Sequence, residues 1–215
     1  IFLKKGYSLQ RTYALSKLES AMMPAIQVGL LVLVVTAPAF IFFSQKGPGA
    51  MHAPWLISLA AGLVVGGLAQ FSRLCTVGGF RDLFLFKKSI LIFGYLAVLI
   101  GVFVVNISFG NFHLGFENQP IAHTDGLWNF LGMALAGFCS VLLGGCPLRQ
   151  LIMTGEGNSD SAVTVLGLAA GAAFAHNFGL AASGAGPTLN GEIAVVVGFI
   201  VALIIAVVNT KRANA

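Results

Sequence analysis

The sequence predicts an all-α integral membrane protein: a polytopic bundle of about six apolar segments, with cysteine-bearing loops and a weak internal repeat. Composition is the first observation behind this. Hydrophobic residues make up 57% of the 215 and charged residues 9%, against roughly a quarter charged in soluble domains. Mean hydropathy is +0.91. Such a chain cannot cover a folded surface with polar groups, so a soluble monomer is excluded. Glycine placement is the second observation. The 27 glycines sit inside apolar runs, where small residues let helices approach closely in lipid. The third is the placement of charge. The net +5 comes from basic residues at the edges of apolar segments, a membrane orientation signal rather than a nucleic-acid surface.

Residues 1–23 come first, with Lys4, Lys5, Arg11 and Lys17. This stretch is too polar to span and reads as a basic juxtamembrane arm lying at the membrane surface. It begins with Ile1 and carries no signal-peptide pattern, which reads as a piece of a longer or processed protein. The transmembrane domain is expected over 24–209. Its apolar segments are 24–43, 54–70, 89–109, 127–145, 161–182 and 193–209, each uncharged and near the ~20 residues a spanning helix needs. A short tail, 210–215, follows.

With the amino terminus inside, eleven Lys and Arg fall on the inner side and only Lys46 falls outside. The outer loop 111–126 holds Glu117 and Asp125 and no basic residue. Basic residues stay on the cytoplasmic side, so both termini are expected there.

The internal repeat marks the chemistry. Two glycine-rich stretches each run into a cysteine and then an arginine: Cys75 with Arg81, and Cys146 with Arg149. Paired, Gly/Pro-interrupted segments point to the central site of a transporter. In the first copy, Gly78–Gly79 is expected to break a helix and leave Cys75 beside unpaired backbone N–H groups. Such groups bind anions, with Arg73 and Arg81 adding charge. In the second, Pro147 suits the first turn of a helix, which places Cys146 at the N-cap of a short helix over 147–154 with Arg149 in its first turn. Soft sulfur, a helix N-terminus and a guanidinium together suit a sulfur-bearing anion. The plainer alternative is a pair of cytoplasmic loops carrying topology arginines.

Cys139, inside an apolar helix, is expected to pack as a small hydrophobe. His176 and Asn177 lie in the fifth segment. They either face the bundle interior or reach the outer surface, and with Arg73 and Gln150 they complete the secondary pore candidates. His113 and His123 are expected in solvent. Gly62-x-x-x-Gly66 and Gly167-x-x-x-Gly171 fit close helix packing. Three cysteines without a CxxC pair and four scattered histidines give neither a zinc spacing nor a disulfide framework. No metal or cofactor is expected.

The string Gly144-Gly-Cys-Pro-Leu-Arg-Gln-Leu-Ile, with Gly155-Glu-Gly-Asn and Ala175-His-Asn-Phe-Gly, resembles the YeeE/YedE sulfur-transport family. It is most similar to the YedE branch associated with selenium metabolism, over that family's C-terminal portion. The resemblance implies a non-enzymatic, multi-pass protein of the bacterial inner membrane. It would pass a sulfur compound, thiosulfate in the YeeE branch, along cysteines on re-entrant loops. By the matching motifs that role falls on Cys75 and Cys146, with charge from Arg81 and Arg149. The resemblance also implies a further cysteine motif before Ile1 and a TusA-like cytoplasmic sulfur carrier as partner. Two rivals stand beside this reading. One is a membrane thiol oxidoreductase using Cys75 with Cys146, if their loops meet. The other is a non-transporting subunit that docks the sulfur carrier.

Overall fold

The computed structural model describes residues 16–36, 53–115 and 123–212. Every regular element among them is an α-helix, in the order α1 (Lys17–Thr36), α2 (Trp55–Ser72), α3 (Thr76–Phe86), α4 (Ile90–Ser108), α5 (Gly126–Leu143), α6 (Pro147–Gly155), α7 (Ser159–Asn177) and α8 (Leu189–Arg212). The all-α polytopic architecture is as expected. Five helical stretches are long and apolar enough to cross a bilayer: α1, α2 with α3, α4, α5 with α6, and α8 up to Asn209. The sixth expected segment is present as α7, but it opens on Ser159-Asp160-Ser161 and closes on His176-Asn177, which makes it less apolar than the others.

α1 starts earlier than the first expected span. Ser16 N–H donates to Glu19 Oε2 at 2.9 Å, and Glu19 N–H donates to Ser16 Oγ at 3.4 Å. This reciprocal capping box satisfies two backbone donors that a helix start otherwise leaves unpaired. Residues 17–23, read from sequence as part of the surface arm, are therefore the first turns of α1, and Pro24 lies inside it. Residues 1–15 of the arm and 37–43 of the first segment lie outside the described residues.

The repeat is a structural one. α2–α3 and α5–α6 are each a long helix, a short break and a short helix, and three of the four boundaries are displaced by the same 71 residues (Trp55 to Gly126, Ser72 to Leu143, Thr76 to Pro147), the short helices ending at Phe86 and Gly155. The long helices even end alike. Arg73 is left-handed (φ 51°), with its N–H donating to Gln70 O and Leu74 N–H to Ala69 O. Gly144 is left-handed (φ 79°), with its N–H donating to Val141 O and Gly145 N–H to Ser140 O. Both pairs follow the Schellman pattern, which satisfies carbonyls at a helix C-terminus.

The first break is not where the glycines suggested. Gly78 and Gly79 lie within α3, and the chain breaks at Arg73–Cys75 instead. Gly79 serves packing: a Cβ there would sit 3.3 Å from the Ile92 backbone nitrogen of α4. The Gly62, Gly66, Gly167 and Gly171 pairs, expected at tight helix crossings, have nothing within 4 Å of a would-be Cβ among the described residues. Close approach falls instead at Gly79, at Gly191, which lies against the Leu180 carbonyl, and at Gly198, whose missing side chain leaves room for Leu135.

Each short helix packs on the long helix that follows it, α3 on α4 and α6 on α7. The two copies then exchange partners, α2 meeting α6 and α5 meeting α3. α8 lies along α5 over a cluster of Leu142, Ala202 and Ala206, with Cys139 at its edge. Cys139 thus has the packing role expected of it. The large apolar residues face outward (Phe71 is 90% exposed, Leu63 70%), while Gln150, Thr154, Ser140 and Ser161 are buried. That distribution suits a hydrocarbon solvent, in which outward apolar faces cost nothing.

Candidate functional site: a thiol pair between two helix N-termini

Cys75 and Cys146 are the N-cap residues of α3 and α6, both with extended backbone. The break after each long helix turns the chain so that the two caps meet. The two thiols lie within interaction range of each other. Cys75 Sγ accepts a hydrogen bond from Gly78 N–H at 3.2 Å and also faces the Cys146 amide. Cys146 Sγ faces the amide and hydroxyl of Thr76, the first residue of α3, and the amide of Arg149, which approaches it outside capping geometry. Both cysteines are free and buried, 7% and 5% exposed. Two helix N-termini therefore converge on one pair of sulfurs. Each end turns N–H groups that lack intrahelical partners, and the positive pole of its helix dipole, toward the sulfurs, so their meeting point favours negative charge.

Charge at this point is one-sided. In the 71-residue register Arg149 matches Gly78, and Arg81 has no cationic counterpart. Gly78 must be small, since a Cβ there would lie 3.3 Å from Cys75 Sγ. Arg149 lays its stem over Gly145, whose would-be Cβ is 3.3 Å from Arg149 Cγ. Its guanidinium joins a three-residue ring. Nη1 donates to Gln70 Oε1 at 3.4 Å and Nη2 reaches both carboxylate oxygens of Glu156 at 3.5 Å. Gln70 Nε2 closes the ring by donating to Glu156 Oε1. The ring spans the α2–α6 crossing, because Gln70 is on α2 and Glu156 caps the C-terminus of α6.

The other predicted residues are placed differently. Arg81 is half-exposed and its Nε and Nη2 both donate to Asp82 Oδ1. That ion pair neutralises it locally instead of turning it to the thiols. Arg73 is an exposed C-cap residue. Gln150 is 1% exposed and its Nε2 donates to Leu143 O at 3.1 Å, so it fastens the end of α5 instead of lining a passage. His176 and Asn177 are exposed at the last turn of α7, and Asn177 Nδ2 donates to Ala173 O. Neither side chain faces the interior of the described bundle. His123 is shielded at Nδ1, contrary to a fully solvated loop position.

Sequence reasoning missed Gln70, Thr76 and Glu156. Gln70 had a signal, a polar residue closing an otherwise apolar helix, and Glu156 lay in the quoted Gly155-Glu-Gly-Asn string. Thr76 had none.

A bundle of outward-apolar helices, interrupted by paired breaks that bring thiols and helix N-termini together inside it, defines a polytopic membrane transport protein. The chain belongs to the sulphur transport family, whose model matches residues 71–214 and so includes both cysteine motifs. This is the YeeE/YedE family that those motifs led us to expect. No curated protein and no solved structure matches the chain.

Proposed function

We propose that the protein conducts a small sulfur- or selenium-containing anion, thiosulfate-like in size and charge, past the Cys75–Cys146 thiol pair. The observation that supports this most is the convergence of two helix N-termini on two free, neighbouring thiols. The dipole ends favour a negative ion, and soft, polarisable sulfur offers it contacts that are weak enough to release. Conduction needs such successive weak sites, since binding must allow both entry and exit. Arg149 supplies the formal charge on one side. Arg81, tied to Asp82, acts at most on the approach.

The setting completes the proposal: the bacterial inner membrane with both termini cytoplasmic, and a TusA-like carrier receiving sulfur on the inner side, with the basic stretch ahead of α1 as its dock. Branch and substrate are those of the YedE-like resemblance, with thiosulfate and its selenium counterpart as the compounds to try first. The experiment is uptake of labelled thiosulfate by proteoliposomes containing the purified chain. Uptake above empty liposomes supports the proposal, and none with either compound removes it.

The nearness of the two free thiols favours one second reading, a membrane dithiol oxidoreductase, which needs a cysteine pair that can close to a disulfide. Thiol–disulfide turnover with a small disulfide substrate, without net uptake, would select it.

A further inference from the structure

The ring at the α2–α6 crossing carries an inference about how an anion gains the thiol pair. Arg149 is, among the described residues, the cation whose backbone lies against a site sulfur, yet its guanidinium is already occupied by a carboxylate. The contacts are long: 3.5 Å to both Glu156 oxygens and 3.4 Å to Gln70, where a charge-assisted N–H···O bond is usually about 2.7–2.9 Å. Glu156 also accepts a hydrogen bond from Gln70 Nε2, so it has a second holder besides Arg149. It is also part-exposed, its side chain at 35% against 20% for Arg149, so it can swing outward without losing a buried position. Arg149 presents a planar fork that a carboxylate or a tetrahedral oxyanion can engage in the same way.

From this we infer that Glu156 is a built-in surrogate anion: it occupies Arg149 when the site is empty, Gln70 keeps it in place, and an incoming sulfur or selenium oxyanion must displace it. The inference rests on the anion-conduction reading above and adds a selectivity device to it. A neutral molecule gains nothing from Arg149 and does not release Glu156. A small dianion outcompetes a single carboxylate. Glu156 and Gln70 are positioning residues, acting through Arg149.

The test reads local charge at the thiols, not transport. Cys75 and Cys146 of the full chain in detergent are labelled with methanethiosulfonate reagents of opposite charge, an ethylsulfonate and an ethyltrimethylammonium, and with neutral N-ethylmaleimide. Removing the Glu156 charge leaves Arg149 uncompensated, so Glu156→Gln should raise the anionic-to-cationic rate ratio about ten-fold, as fields in charged clefts do. The N-ethylmaleimide rate should change by less than about two-fold, since geometry is kept. Gln70→Leu should shift the ratio the same way by less, because Glu156 loses its holder but not its charge. Glu156→Asp, a shorter arm with the same charge, guards against a folding artefact and should move the ratio only slightly. An unchanged ratio in Glu156→Gln overturns the inference even if uptake is normal. Absent uptake in the wild type overturns the conduction reading and leaves the labelling ratio to decide this one.

Discussion

Cys75 and Cys146 hold the same position in two copies of one unit, 71 residues apart, and their thiols come within interaction range of each other. Neither copy alone creates that proximity. It arises because each copy presents its cysteine at the N-cap of a short helix and the two short helices meet the other copy's long helix.

The two motif cysteines should therefore differ from Cys139. Cys75→Ser and Cys146→Ser keep nearly the same volume but exchange soft sulfur for a hard hydroxyl, so each should abolish most uptake without loss of folding. Cys139→Ala removes a packing atom at the α5–α8 cluster and should cost about 1 kcal/mol of stability with uptake retained. Labelled uptake, with monodispersity as the folding control, decides. Full uptake in the Cys75→Ser, Cys146→Ser double variant would sink the thiol relay, though an anion passage along Arg149 would survive.

Arg149→Lys retains charge but cannot hold Gln70 and Glu156 at once, nor grip an oxyanion with two parallel bonds. Uptake should fall about ten-fold, the loss of one charged hydrogen bond. Wild-type rates in the lysine variant would reduce Arg149 to a topology signal.

Gly79→Val pushes two methyl groups into the α3–α4 contact, where even a Cβ lies 3.3 Å from backbone. Backbone cannot rotate away as a side chain can, so stability should drop by about 1–3 kcal/mol. Because α3 carries Cys75 at its start, the labelling rate of that cysteine should rise as well. A melting temperature equal to that of the wild type would show that α3 does not rely on this approach.

Arg73→Gly should stabilise. Arg73 holds a left-handed conformation at φ 51°, which costs a residue with a Cβ about 1 kcal/mol, and the second copy has glycine at the same point. A higher thermal midpoint in detergent is expected. A lower one would mean that the arginine side chain contributes more than its backbone costs.

Orientation is tested by fusion. From the eleven-to-one distribution of basic residues, a reporter active only in the cytoplasm should work after Ala215 and fail near Asn118. The reverse pattern would invert the membrane topology and the side from which sulfur enters.

Much of the helical plan was legible in the residues. Pro147 after Cys146 announced a new helix with cysteine as its cap, because a missing N–H costs nothing at a first turn, and α6 begins there. The Gly78–Gly79 pair misled, since glycine marks a break and a close approach equally, and only the position of Ile92 on α4 showed that it was the latter. The start of α1 was missed although Ser16 and Glu19 have capping-box spacing, because the basic charge of residues 1–23 argued for a surface arm.

The sequence by itself determined that this is a membrane bundle, that it contains two related cysteine-bearing units, and that a guanidinium follows the second cysteine within one helical turn. These are consequences of composition and of spacing along the chain, which act over a few residues. Tertiary structure alone decided that the two thiols meet, that Arg81 is spent on Asp82, that Gln150 fastens α5, and that Arg149 is matched with Gln70 and Glu156 across the α2–α6 crossing. Gln70 and Arg149 are 79 residues apart in sequence. Such a pairing depends on which helix faces cross, and neither propensity nor periodicity within one segment encodes that.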